Sequence, residues 1–248
     1  MAGTAVHLDL AAGVAWVTLD GPGTRNALDA AAAADLVAVC DRVDDDPTIG
    51  VAVVTGSGGA FCSGADTTAL AGLRTTAPHT AYEGLDALYA AFRRIGTMTV
   101  PTVAAVDGAA VGAGLNLALA ADLRILTDRA RLVSGFARLG IHPGGGHLHL
   151  LARAAGAGIA ASAGVFARPI TPDRALATGL AADVVAPGDL RHTVERTVTH
   201  LAADPALARA LTLTLRRTVL DAADWDRAVE IERARQLWSL SRPRPEES

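Results

Sequence analysis

Two glycine-rich loops each follow a short apolar run and lead into a helical pattern, and this repeated arrangement limits the folds the chain can adopt. The first loop, residues 56–64, follows 51–55, and the second, residues 108–114, follows 102–106. Such short apolar runs are typical of buried strands in a parallel sheet. The first turn of a helix leaves its backbone N–H groups unpaired. We therefore expect both loops to aim N–H groups at a negative charge, either a phosphate or an oxyanion.

The rest of the chain alternates strand and helix patterns up to residue 189, which predicts an α/β fold with a parallel sheet. Residues 6–10 and 14–19 alternate in polarity and predict a hairpin, and Asp29 is the expected N-cap of the next helix. Further helices are expected at 80–95, 115–121, after 143–146 and after 171–172, and strands at 123–126 and 183–186. The expected organisation is a core over 1–189 and a helical segment over 190–248.

The helical segment 190–248 has recurring apolar positions and is expected to serve oligomerisation. These positions are Leu201, Leu207, Leu211, Leu215, Trp225, Ile231 and Trp238. We expect them to join chains into a trimer or a hexamer.

Composition and charge limit the partners and the compartment. A net charge of −4 gives no reason to expect a nucleic-acid partner. No apolar run reaches the roughly 18 residues of a membrane helix, and no signal-type pattern opens the chain. Cys40 lies on a predicted helix and Cys62 in a loop, so a disulfide between them is not expected. We expect a cytoplasmic protein with no membrane partner.

The second loop also has the glycine spacing of a dinucleotide-binding loop. Gly108, Gly112 and Gly114 match the G-x3-G-x-G pattern of short-chain dehydrogenases. In that fold the loop follows the first strand, and a Tyr-x-x-x-Lys pair comes later in the chain. Here the loop is in mid-chain, and Tyr82 and Tyr89 precede it without a lysine four residues on. This alternative is disfavoured, since a glycine fingerprint alone is weak evidence.

Two other catalytic classes lack their usual residue patterns. Ser63 is not in a Gly-x-Ser-x-Gly elbow, which argues against a serine hydrolase. His147 and His149 lie two residues apart on a predicted helix and point to different faces. No metal site is therefore predicted.

Five segments, taken in order, resemble the crotonase (enoyl-CoA hydratase/isomerase) superfamily. They are RNAL at 25–28, GAFCSGAD at 59–66, AVDGAAVGAG at 105–114, LGIHPGGG at 139–146 and AxxxGLxxxV at 175–184. The resemblance implies the ClpP/crotonase fold, a spiral of ββα units with a C-terminal helical segment. It also implies an acyl-CoA thioester as partner, a place in fatty acid metabolism, and no cofactor other than coenzyme A as part of the substrate.

The resemblance further implies which residues bind the thioester. The backbone N–H groups of Ala65 and Ala113 are expected to form an oxyanion hole that polarises the carbonyl and stabilises an enolate. The family usually has glycine at position 113, but alanine can serve there if its φ is negative. Arg25 is expected near the CoA phosphates and the backbone of 65–67 near the adenine. The full set of expected CoA-binding residues is Arg25, Ala27, Ala65, Asp66, Thr67 and Gly112.

Two positions depart from the hydratases of this family, which use a pair of glutamates. Alignment on Gly114 places the first glutamate at Asn116, and alignment on Gly140 and Pro143 places the second at Phe136. Neither side chain exchanges a proton near neutral pH. Each well-placed acid–base group contributes roughly 10²–10⁴-fold to rate. We expect ordinary hydration to be nearly lost.

Two titratable residues near the glycine-rich segments are candidate substitutes for the missing acid–base groups. Asp66 adjoins an oxyanion donor and His142 lies just before Pro143, and both are retained as catalytic candidates. A helix cap for Asp66 and a structural role for His142 are the competing interpretations. His147 and His149 are expected at the surface or in packing.

Three functional classes remain open. The first is an enoyl-CoA hydratase/isomerase-like lyase or isomerase with non-standard acid–base residues, catalysing isomerisation, decarboxylation or thioester cleavage. The second is a non-catalytic acyl-CoA-binding or regulatory protein. The third is a structural subunit of a mixed oligomer.

Overall fold

A computed structural model describes residues 3–218 and 222–241, and its largest element is a six-stranded sheet. The strands of the chain are β1 Ala5–Ala11, β2 Val14–Asp20, β3 Val51–Gly56, β4 Thr102–Val106, β5 Ala109–Val111, β6 Leu123–Thr127, β7 Arg131–Val133 and β8 Asp183–Val185. The sheet has the order β1-β2-β3-β4-β6-β8, with β1 antiparallel to β2 and the other pairs parallel. The predicted α/β class, hairpin and parallel sheet are confirmed.

Helices flank the sheet and follow the predicted order. They are α1 Ala30–Asp45, α2 Thr67–Leu73, α3 Pro78–Gly96, α4 Ala113–Ala120, α5 His147–Ala160, α6 Pro172–Ala177, α7 Leu190–Ala203, α8 Pro205–Thr218 and α9 Ala222–Leu240. The Asp29 carboxylate accepts the Ala32 N–H at 2.8 Å, so the predicted N-cap of α1 is confirmed.

The apolar strands are buried on both faces, which explains their continuous hydrophobic sequence. On β3, Val51 and Val53 face a cluster that includes Leu190 and Val194 of α7. Residues Ala52 and Val54 point to the opposite side, into the main core shared with α1, α3 and α4. The two glycine-rich loops therefore begin at the carboxyl ends of β3 and β4, which are held in place by packing on both faces of the sheet.

The second loop contains a short strand that the sequence did not predict. Residues 109–111, predicted as part of a turn, form β5 and pair in parallel with β7 as a separate two-stranded sheet. Strands of three residues are too short to show a period in sequence. Phe136 lies directly before the 3-10 turn Ala137–Leu139 and outside β7, which ends at Val133.

Helix α9 packs into the main core. Trp225, Val229 and Leu240 are buried there, and the Trp225 Nε1–H donates to the Gly145 carbonyl at 3.2 Å. The prediction that Trp225 is an assembly contact is wrong, since only 4% of it is exposed. Five of the other predicted assembly contacts are exposed on the surface of the chain: Leu207, Leu211, Leu215, Ile231 and Trp238. The division at residue 190 stays a prediction, and residues 242–248 lie outside the described residues.

In the described part of the chain, one helical stretch, His147–Val165, is long and apolar enough to cross a membrane. Helices buried in the core of a protein can have the same length and apolar composition. Gly156 interrupts this stretch with a φ of 81°, and Leu150, Leu151 and Ile159 bury one side of it in the core. Cys40 and Cys62 are buried free thiols.

Candidate active site

The two glycine-rich loops are joined by backbone hydrogen bonds. The N–H groups of Phe61 and Cys62 both donate to the Ala109 carbonyl at 3.0 Å, and the Val111 N–H donates to the Cys62 carbonyl at 3.0 Å. Cys62 and Ala110 form a parallel bridge. The loops after β3 and β4 therefore form one rigid unit.

Glycine permits this close approach. A Cβ on Gly64, whose φ is 99°, would lie 2.6 Å from the Val111 carbonyl oxygen and 3.6 Å from the Ala113 nitrogen. A Cβ on Gly114 would clash with the Cys62 carbonyl. Any side chain at either position would separate the loops.

The side chain of Asn26 forms hydrogen bonds that hold the first loop in place. This buried residue has a left-handed backbone, with a φ of 60°, which asparagine tolerates better than most residues. Its Nδ2 donates to the Ala60 carbonyl at 2.7 Å, and its Oδ1 accepts the Gly21 N–H at 2.8 Å. The neighbouring Arg25 is exposed, and its carbonyl accepts the Ser63 N–H at 2.9 Å.

The N–H group of Ala65 points away from the neighbouring segment that contains Leu28. Leu28 donates to the Gly64 carbonyl and accepts the Asp66 N–H, both at 2.8 Å. In a parallel bridge of this kind, the residue between the two bonded groups directs its own N–H to the other side. Ala65 lines the cavity beside the loops.

The N–H group of Ala113 lies at the start of α4. Its N-cap, Gly112, has a φ of 53°, and the first N–H groups of a helix have no intrahelical partner. The φ of Ala113 is not positive, so its backbone has the conformation that alanine needs to serve as an oxyanion donor at this position. Ala113 lines the same cavity as Ala65.

A cavity lies beside the two loops, and most of its lining is apolar, as in most small-molecule sites. Its apolar wall comprises Leu70, Leu85, Leu88, Phe92, Leu139 and Ile141. Tyr89 is the one ionisable side chain among the described lining residues, and burial raises its pKa. No described carboxylate faces this cavity.

Asn116 and Phe136 both line the cavity, together with Ala65 and Ala113. The Asn116 Nδ2 donates to the Gly144 carbonyl at 2.9 Å, and its Oδ1 lies 2.6 Å from the Nδ1 of His147. The ring of Phe136 meets the imidazole edge-on, with ring centroids 4.9 Å apart. Asn116 and Phe136, the two residues predicted to replace the family's glutamates, therefore both contact one histidine.

Sequence reasoning missed that histidine. His147 is fully buried at the start of α5, so the surface alternative is wrong and the packing alternative holds. Its Nε2 lies 2.7 Å from the Ser134 Oγ. Burial lowers the pKa of His147 to about 3, which keeps the imidazole neutral. Its polar partners are 31 and 13 residues away, and no local motif connects them.

Comparison with known proteins agrees with this geometry. A family model described as enoyl-CoA hydratase/isomerase matches residues 9–239. The chain belongs to this family. The five segments identified in the sequence therefore mark a true member of the crotonase superfamily.

Several relatives cover most of the chain. A probable enoyl-CoA hydratase, EchA14, of Mycobacterium tuberculosis is 39% identical over 235 residues, which is 93% of this chain and 90% of the relative. The (E)-benzylidenesuccinyl-CoA hydratase of Thauera aromatica is 35% identical over 75% of this chain and 71% of its own length. The crystal structure of an enoyl-CoA hydratase from Mycobacterium avium subsp. paratuberculosis is 26% identical, with a TM-score of 0.83, and the match covers 96% of this chain and 94% of that one.

Glu232 is a second buried polar residue that the sequence did not reveal, and it contacts the backbone of His147. Glu232 of α9 accepts the backbone N–H groups of His147 at 2.7 Å and Leu148 at 2.9 Å. Burial raises the pKa of Glu232 to about 7, although these N–H donors lower it. The carboxyl group therefore caps α5 from a helix more than 80 residues away in sequence.

The structure does not bring the two retained acid–base candidates into the cavity. The Asp66 carboxylate caps α2, accepting the Ala69 N–H at 2.8 Å, and its side chain is not among the described lining residues. His142 directs Nδ1 to the Pro143 carbonyl at 2.7 Å and does not line the cavity either. The catalytic roles predicted for them gain no support from their positions.

Proposed function

We propose that the protein binds an acyl-CoA thioester and polarises its carbonyl with the N–H groups of Ala65 and Ala113. The observation that carries this proposal is the convergence of the two loops on one apolar cavity, with each loop supplying one alanine to its lining. Two such donors stabilise the negative charge that develops on a thioester oxygen, and one donor is worth about 2.7–4 kcal/mol. Family membership favours this ligand class.

The chemistry that we propose differs from ordinary hydration. Asn116 and Phe136 replace the two glutamates, and no described lining residue is a carboxylate. The site therefore suits reactions that use the oxyanion hole with non-standard acid–base groups. A non-catalytic acyl-CoA-binding role is the second candidate, because Tyr89 is the one described ionisable lining group.

We further propose how coenzyme A is held and where the protein acts. Arg25 is exposed beside the first loop, where its guanidinium can meet the CoA phosphates. The backbone at Ala27 and around Thr67 completes this binding surface. Coenzyme A then enters only as part of the substrate. Two free buried cysteines fit a cytoplasmic enzyme of fatty acid metabolism.

The substitution Gly64→Ala tests the oxyanion hole. Its Cβ would lie 2.6 Å from the Val111 carbonyl oxygen and force the loops apart. We expect acyl-CoA affinity to fall at least about tenfold, because at least one carbonyl hydrogen bond is lost. Calorimetric titration with acetyl-, butyryl- and hexanoyl-CoA measures this change.

Gly158→Ala is the matched control. Gly158 lies within α5, and a Cβ there would meet no atom within 4 Å apart from the adjacent backbone of its own helix. The affinity of this variant for acyl-CoA should equal that of the wild type. Heat of binding that is absent from the wild-type protein with all three thioesters would overturn the proposed function. Equal affinity in Gly64→Ala and the wild type would refute the role of the loops.

We propose that assembly uses the exposed face of α8 and α9. Leu207, Leu211 and Leu215 recur every fourth residue along one face of α8 and are 52%, 53% and 40% exposed. Light scattering should give a mass of three or six chains of 25.2 kDa each. The double substitution L207E/L211E should dissociate the assembly, whereas Leu176→Glu, at an exposed position on α6, should not. A monomer at micromolar concentration would contradict the prediction.

A further inference from the structure

Ser134 lies on the cavity wall directly beside the second loop. Val133 pairs with Val111 in the small sheet, and the Gly112 N–H donates to the Val133 carbonyl at 2.9 Å. This pairing holds Ser134 next to Gly112, one residue before the Ala113 donor. Ser134 and Ala113 line the same cavity.

The hydrogen bonds around His147 fix which of its ring nitrogens carries the proton. The Gly144 carbonyl can only accept, so the nitrogen of the Asn116 amide faces it and the amide oxygen faces His147. An amide oxygen also only accepts, and therefore Nδ1 of His147 bears the hydrogen. In the neutral ring Nε2 is then an acceptor, and the Ser134 hydroxyl donates to it at 2.7 Å.

We propose that Ser134, His147 and Asn116 form an acyl-transfer triad, and that the protein hydrolyses acyl-CoA thioesters through an acyl-Ser134 intermediate. This inference rests on the proposed acyl-CoA site, which supplies the oxyanion hole. A nucleophile, a base that accepts its hydrogen bond, and a third group that orients the base are the components of such triads. An asparagine in the third position has precedent on an unrelated fold.

Each proton and bond in the reaction has a place. The Ser134 Oγ attacks the thioester carbon while its proton passes to Nε2 of His147, and the carbonyl oxygen becomes an oxyanion between the N–H groups of Ala65 and Ala113. The carbon–sulfur bond then breaks, and coenzyme A leaves as a thiol with the proton from His147. Water adds to the acyl-Ser134 ester with His147 as base. The ester bond breaks, the proton returns to Oγ, and a carboxylic acid departs.

The two departures from the hydratases are consistent with this arrangement. The Asn116 amide orients the imidazole, and the ring of Phe136 packs edge-on against it. A hydroxyl elsewhere in the cavity lacks these features: the Ser63 Oγ donates to the Thr24 carbonyl at 2.8 Å. Cys62 is no rival nucleophile, since burial raises its thiol pKa to about 12.

The test measures thiol release and acyl transfer with the full-length protein. Acetyl-, butyryl- and hexanoyl-CoA are incubated with the wild type, and free CoA thiol and intact protein mass are followed. We expect release of CoA and a mass increase of one acyl group, located by peptide analysis at residue 134. Ser134→Ala and His147→Gln should each lose at least about 100-fold in rate. Ser162→Ala and His149→Gln, at positions outside the cavity lining, should keep the wild-type rate.

Two further variants separate the triad from a packing role. Ser134→Cys keeps a nucleophile of similar size beside the imidazole and should still be acylated, which removes loss of folding as an explanation for Ser134→Ala. Asn116 is a positioning residue, and Asn116→Asp should move the acid limb of the pH–rate profile to higher pH, because a carboxylate favours the imidazolium. A purely structural asparagine would leave the profile in place.

The outcomes distinguish the two proposals. If the thioesters bind in calorimetry but release no thiol that depends on Ser134, the triad is overturned and the acyl-CoA site stands. If no thioester binds, both proposals are overturned. An acyl group found on another residue also overturns the triad.

Discussion

Hydration of crotonyl-CoA by the wild-type protein is expected to be at least about a thousandfold slower than by an ordinary enoyl-CoA hydratase. Hydration requires one group to take a proton from water and another to deliver a proton to the α-carbon. Asn116 and Phe136 line the cavity and are the residues that the sequence alignment predicts at those positions, and neither can do so. The low end of two lost acid–base contributions would be about 10⁴-fold, and the estimate is set lower because paired groups do not add independently. A steady-state assay beside an ordinary hydratase measures the ratio.

Restoring one carboxylate should recover little activity. In Asn116→Glu the new group would lie against the imidazole of His147, which is 2.6 Å from the present Oδ1, and Phe136 would still fill the second position. The double substitution N116E/F136E should recover more. It would also reduce the free energy of unfolding, because two carboxylates would be buried against a mainly apolar cavity wall.

Binding measurements provide the control for this series. Each variant should still bind butyryl-CoA, so that a low hydration rate reports chemistry and not a lost site. Hydration by the wild type at ordinary hydratase rates would contradict this account. Such a rate would indicate that His142 or Asp66 moves into the cavity as an acid–base group.

The fold and the position of the oxyanion loops could be predicted because their signals are local. The apolar strands, the Asp29 cap and the glycines each act on neighbouring residues, and a family resemblance adds their order along the chain. Gly64 and Gly114 lie in the predicted loops, but the carbonyl groups that they approach are identified only by the structure.

The polar network behind the cavity could not be predicted from the sequence. His147 meets Ser134 and Asn116 because β7, α4 and α5 converge there, and none of the three residues stands in a motif with another. Glu232 reaches the start of α5 only because α9 folds back over the core. The same folding back buries Trp225, which the sequence analysis counts among the recurring apolar positions of an assembly segment. Such contacts depend on tertiary packing that a linear pattern does not encode.

Stability is expected to depend on pH through two buried groups with opposite effects. Burial lowers the pKa of His147 from 6.5 to about 3, so between these values the unfolded chain takes up a proton that the folded protein does not. Stability from this group is complete above pH 6.5 and is lost as the pH falls toward 3. The full loss is on the order of 4–5 kcal/mol.

Glu232 acts in the opposite direction. Burial raises its pKa from 4.5 to about 7, so the folded protein holds a proton that the unfolded chain releases between these values. Stability from this group is greatest below pH 4.5 and decreases by on the order of 3 kcal/mol as the pH rises to 7. Between pH 4.5 and 6.5 the two slopes cancel. We therefore expect a nearly flat free energy of unfolding in that range and a steep fall below it.

Two substitutions should separate these contributions in urea unfolding from pH 4 to pH 8. In Glu232→Gln the loss on acidification should begin near pH 6.5, because the opposing carboxyl group is gone and His147 acts alone. In His147→Gln stability should rise as the pH is lowered from 7 to 4.5. His79→Gln, which changes an exposed histidine, should give the wild-type curve. If the wild type already loses stability from pH 6.5 and Glu232→Gln leaves that curve unchanged, the N–H donors of α5 outweigh burial and Glu232 is ionised in the folded protein.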